Sequence, residues 1–80
     1  MEKQIEQEVG RINGILGAKG MTLYTVKQGA SYSIFLEKAS DKRTIKSMLY
    51  YSISELECFL LLSNIREIKR NNFPGIARCF

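Results

Sequence analysis

Ser31-Tyr32-Ser33-Ile34-Phe35-Leu36-Glu37-Lys38 alternates side by side along the chain. Tyr32, Ile34 and Leu36 share one side of an extended backbone and Ser33, Phe35 and Glu37 the other, which is the two-residue period of a strand with a buried face. Upstream, Met21 to Lys27 reads as a strand, and downstream so does Arg43 to Tyr51. Gln28-Gly29-Ala30 and Ser40-Asp41-Lys42 supply turn residues between these segments, so an antiparallel meander is the simplest connection.

Outside this region the period changes. Ile5, Val9, Ile12 and Leu16 recur at steps of three and four, the spacing of one helix face, and predict a helix from about Glu2 to Leu16. Glu2, Glu6 and Glu8 lie toward its positive end. Gly10 and Gly14 each cost about 1 kcal/mol relative to alanine, and their four-residue spacing is either simply tolerated or a place for another backbone to approach. Gly17 and Gly20 frame the exit.

A second helix is expected from Ser54 to about Arg70. Ser52 with Glu55 and Ser54 with Glu57 both match the capping box, in which a serine oxygen and a glutamate three residues later satisfy free backbone N–H groups. Arg66, Lys69 and Arg70 complement the negative end, and Asn71-Asn72-Phe73-Pro74-Gly75 stops the element. The expectation is an α+β fold in the order α-β-β-β-α, a three-stranded antiparallel meander with two helices packed on one face. The face expected against the helices is Tyr24, Val26, Ile34, Leu36, Ile45 and Leu49. Residues 1–80 read as a single small domain, with residues 71–80 as a C-terminal tail.

Composition bounds what such a domain does. At 80 residues and 45% apolar content the chain is a folded domain with a thin core, for which support from a second subunit is unsurprising. Its net charge of +4 attracts polyanions only modestly. The first residues are polar, without the apolar run of a secretory signal, and Phe59-Leu60-Leu61-Leu62 is far too short to span a bilayer, so a cytoplasmic, non-membrane protein is expected.

Histidine is absent, which removes the usual neutral-pH general base, the commonest zinc ligand and every Ser-His or Cys-His nucleophile. Gly14, Gly17 and Gly20 precede a strand rather than follow one, so they do not cradle a phosphate. Carboxylates gather at helix starts, where capping explains them. Cys58 lies in an apolar helix and reads as a small core side chain; Cys79 is terminal, and a disulfide between them is not expected. No catalytic, cofactor-binding or metal-ligating set is assigned, and the chain is read as a non-enzyme.

The second helix carries more apolar surface than one buried face needs. Leu56, Phe59 and Leu60 point one way, while Cys58, Leu61, Leu62, Ile65 and Ile68 point largely elsewhere. Phe35, Tyr50, Leu61, Leu62, Ile65 and Ile68 are therefore candidates for binding a protein, unless Phe73, Ile76 and Phe80 fold the tail over the helix. Lys27, Lys46, Arg66, Lys69 and Arg70 are the candidates for nucleic-acid contact.

The element order is similar to that of double-stranded-RNA-binding domains. That family carries lysines at the start of its second helix, where this chain reads Ser52-Ile53-Ser54-Glu55-Leu56-Glu57 and is acidic; only the order is shared. The favoured reading is a small interaction or regulatory protein that binds another protein, with homodimerisation open. Nucleic-acid binding and a structural assembly subunit are the alternatives.

Overall fold

A computed structural model describes residues 1–40 and 42–68. Helix α1 spans Glu2–Leu16 and leads through a 3-10 turn, Gly17–Lys19, into strands β1 (Met21–Gln28), β2 (Ser31–Ser40) and β3 (Arg43–Ser54), followed by helix α2 (Glu55–Ser63). The sheet order is β1-β2-β3, with both neighbouring pairs antiparallel. This is the expected α-β-β-β-α order with a three-stranded antiparallel sheet. Ile5, Ile12 and Leu16 of α1 and Cys58 and Leu62 of α2 join Met21, Leu23, Tyr32, Ile34 and Leu36 in one buried cluster, so both helices cover the same face of the sheet. Fully burying one such side chain contributes about 1.5–3 kcal/mol.

Glycine has a conformational role at two positions. Gly20 closes the helix exit at φ 68° and Gly29 opens the two-residue β1–β2 loop at φ 61°, both left-handed values that cost other residues energy. At Gly10 and Gly14, by contrast, no neighbour from outside the helix backbone lies within 4 Å of where a Cβ would sit among the described residues, so no other backbone approaches closely there.

The expected inner face needs correction on β1. Leu23 pairs with Leu36 and Tyr24 with Phe35, and directly paired residues share a face. Met21 and Leu23 are therefore buried with Ile34 and Leu36, while Tyr24 and Val26 sit on the bare side of the sheet. A one-residue change in the face assignment moves every side chain of a strand across the sheet. Ile45 is also outside the core at 41% exposed, near the start of β3. Leu49 is partly buried and packs against the core as expected.

Helix α2 is shorter than its periodicity suggested, ending at Ser63 rather than near Arg70. The Ser63 hydroxyl donates to the Leu60 carbonyl at 3.2 Å, and Arg11 Nη2 donates to the Leu62 carbonyl at 2.9 Å. These bonds satisfy carbonyls at the helix end. The chain then turns so that Ile65 enters the core. Of the two capping boxes, Ser54 is the cap, accepting from the Glu57 N–H at 3.1 Å. Ser52 remains within β3. The expected roles of Asp41, Lys69, Arg70, Phe73, Pro74, Ile76, Cys79 and Phe80 lie outside the described residues.

Candidate interaction surface

The two edges of the sheet differ. On β1, the Leu23 N–H donates to Asn13 Oδ1 at 2.7 Å, and Asn13 Nδ2 donates to the Leu23 carbonyl at 2.9 Å. One amide side chain from α1 thus occupies both outward hydrogen-bonding groups of Leu23, as a neighbouring strand would at that residue. Among the described residues β3 has no strand on its outer side.

Strand β3 is irregular. Phe35 faces Met48 but Ile34 faces Tyr50, which leaves Leu49 as an extra residue, and a second shift lies between Tyr50 and Ile53. Such bulges bend a strand and re-aim its side chains. Tyr50 and Ile53 consequently lie opposite Ile34 and Tyr32 and pack, half-buried, against the core. Ser52, within the second bulge, is the one positive-φ residue other than glycine among those described, at 53°.

Between the end of β3 and α2 lies a groove of about 370 Å³ lined by Tyr50, Ile53, Glu57, Leu60, Leu61 and Asn64. Its walls are mostly apolar, with Glu57 and Asn64 as the polar members. Large apolar side chains left exposed concentrate on the same two elements: Ile45, Met48 and Tyr51 on β3, Leu56 and Leu60 on α2, with Val26 and Met1 elsewhere. Of these only Leu60 also lines the groove, and isolated exposed apolar residues are ordinary.

The expected protein-binding residues divide between core and surface. Leu62 and Ile65 are buried at 0% and 4% exposure and hold the helix to the sheet. Tyr50 and Leu61 line the groove, and Ile68 packs against the core from the chain following α2. Phe35 is on the bare face, stacked on Tyr24 with centroids 5.3 Å apart and planes 13° from parallel. Leu56 and Leu60, which helical phase had grouped on one side, are the exposed pair. Phe59, grouped with them by helical phase, instead packs half-buried against the core, so the grouping holds only in part.

The basic candidates do not share a face. Lys46 lies on the bare side, its Nζ 5.3 Å from the Tyr24 centroid and 5.9 Å from that of Phe35. Lys27 lies on the helix-bearing side, with Nζ 3.4 Å from Glu2 Oε2, and Arg66 is exposed beyond α2. Hydrogen bonding to Glu2, followed by the charge of Glu2, raises the Lys27 pKa.

Two buried groups bear on chemistry. Burial, and then the charge of Glu55, push the Cys58 thiol up to about 11, so it stays protonated at neutral pH and is a poor nucleophile. The Tyr32 hydroxyl is buried without a hydrogen-bond partner among the described residues, and burial raises its pKa. Among the described residues no three of His, Cys, Asp and Glu gather as a metal-binding group, and no helix is long and apolar enough to cross a membrane. Comparison with protein-family models, with curated proteins and with solved structures finds no match.

Proposed function

We propose that this chain is a small, non-enzymatic interaction protein of the cytoplasm that recognises another protein through the flank formed by β3 and α2. The observation that carries the reading is the apolar groove between Tyr50, Ile53, Leu60 and Leu61, on the same two elements as exposed Tyr51 and Leu56. Protein contacts of this kind rest on a desolvated apolar centre with a polar rim, which Glu57 and Asn64 supply here. A buried, unpaired Cys58 suits a reducing compartment.

The test is capture with the wild type, Leu60→Lys and Val26→Lys, followed by titration of any captured protein. A partner bound at least tenfold more weakly by Leu60→Lys, and normally by Val26→Lys, supports the flank; equal retention by all three rejects it.

A second reading, nucleic-acid contact through the bare face, draws on Lys46 above the Tyr24–Phe35 stack. Lys27 on the opposite side leaves that face with fewer cations than the charge count suggested. Salt-dependent binding of a single-stranded probe that is lost in Lys46→Ala would favour it.

A further inference from the structure

We infer that the occupant of the β3–α2 flank is a second copy of this chain, packed antiparallel about a two-fold axis across the middle of β3; this rests on the flank being the interaction surface. The first reason is charge. Lys42 and Arg43 stand exposed at the start of β3, and Glu57 stands exposed in the first turn of α2, just past the other end of the strand. A two-fold axis across the middle of β3 sets the basic end of each copy against the acidic end of the other.

The second reason is the asymmetry of the edges. Asn13 of α1 covers the outward backbone groups of Leu23 on β1, whereas exposed Ile45 and Tyr51 lie on β3. Its bulges and Lys46 discourage addition of an arbitrary extended strand. Side-chain packing of one shaped flank on its twin is less restricted by them.

Sedimentation equilibrium of the full chain over a wide concentration range tests the proposal, with circular dichroism confirming that each variant folds. The wild type is expected to be a dimer. Leu60→Lys, Arg43→Glu and Glu57→Arg are each expected to weaken association by roughly tenfold or more, because like charges placed opposite one another across an interface repel. The double variant Arg43→Glu/Glu57→Arg is expected to regain the wild-type constant, since the exchange restores both symmetric pairs. A dimer indifferent to all four variants, or an open series of larger oligomers, overturns the antiparallel arrangement. A wild type that is monomeric at every concentration also overturns it. In that case a separate partner still lost on Leu60→Lys would leave the interaction reading standing, and loss of both would end both. A monomer whose Leu60 backbone amide is protected from hydrogen exchange beyond the protection of the rest of α2 assigns the groove to another segment of the same chain, and likewise overturns the proposal.

Discussion

Asn13 and Leu23 form a closed two-bond pair in which one side-chain amide binds both the N–H and the C=O of a single edge-strand residue. The pair ties α1 to β1 in one register and covers backbone groups that would otherwise present a template to another chain. Two residues earlier, Arg11 turns the other way, donating to Glu8 at 2.7 Å and to the Leu62 carbonyl of α2. One turn of α1 thus holds both its sheet edge and its neighbouring helix.

Asn13→Ala leaves the Leu23 N–H and C=O without these partners in a partly buried place. A loss of about 2 kcal/mol is expected, as two net hydrogen bonds of about 1 kcal/mol each disappear. Asn13→Asp keeps the acceptor but sets an oxygen against the Leu23 carbonyl, and is expected to be no better. Urea denaturation decides the matter, and a change below about 0.5 kcal/mol for both variants would contradict the pair's structural role.

Ser52 adopts φ 53° without being glycine. Left-handed backbone costs an L-residue roughly 1–2 kcal/mol, so Ser52→Gly is expected to stabilise the fold by about 0.5–1 kcal/mol after the extra freedom of glycine in the unfolded chain is counted. Ser52→Val is expected to destabilise it, since a β-branched side chain tolerates this conformation least. Paired thermal melts with the opposite ranking would show that the bulge does not demand this geometry.

Leu60 and Leu62 are two residues apart and have opposite environments, 48% and 0% exposed. Leu62→Ala is expected to cost about 2–5 kcal/mol, through lost burial and the cavity left behind. Leu60→Ala, measured at a concentration where the chain is monomeric, is expected to cost less than about 1 kcal/mol. Equal losses in denaturant titrations would mean that α2 is rotated from the orientation described.

Cys58 makes stability fall at alkaline pH. Its folded-state pKa, about 11, lies above the ordinary 9.0, so between those values the unfolded chain releases a proton that the folded chain keeps. Unfolding is then increasingly favoured as pH rises: the contribution is whole below pH 9 and declines toward pH 11, by on the order of 2 kcal/mol. In a Cys79→Ser background, stability measured against Cys58→Ala across this range should show the difference shrinking as pH rises. A constant difference, or rapid alkylation of native Cys58 at pH 8, would exclude a protected thiol.

The helix from Glu2 to Leu16 was legible because Ile5, Ile12 and Leu16 repeat at helical spacing and all three face the core. Strand β2 was legible for the same kind of reason, since Tyr32, Ile34 and Leu36 alternate with less buried neighbours. The inner face of β1 was not, because Leu23 and Tyr24 are both large and apolar enough to be buried and only pairing with Leu36 separates them. The bulges at Leu49 and Tyr51–Ser52 break the alternation of β3, so Leu49 was placed on the inner face correctly while the burial of its neighbour Tyr50 followed from the sheet alone. For the candidate surface, helical phase grouped Leu56 with Leu60 and left open whether that group was inside or outside.

The amino-acid sequence by itself determined the kind, order and approximate length of most elements, because periodicity and caps act over three or four neighbouring residues. Only the tertiary structure decided which sides of β1 and α2 turned inward, where α2 ended and which edge-strand residue Asn13 met. Those choices rest on contacts between residues far apart in the chain, such as Leu23 with Leu36 and Arg11 with the Leu62 carbonyl, and no local pattern encodes them.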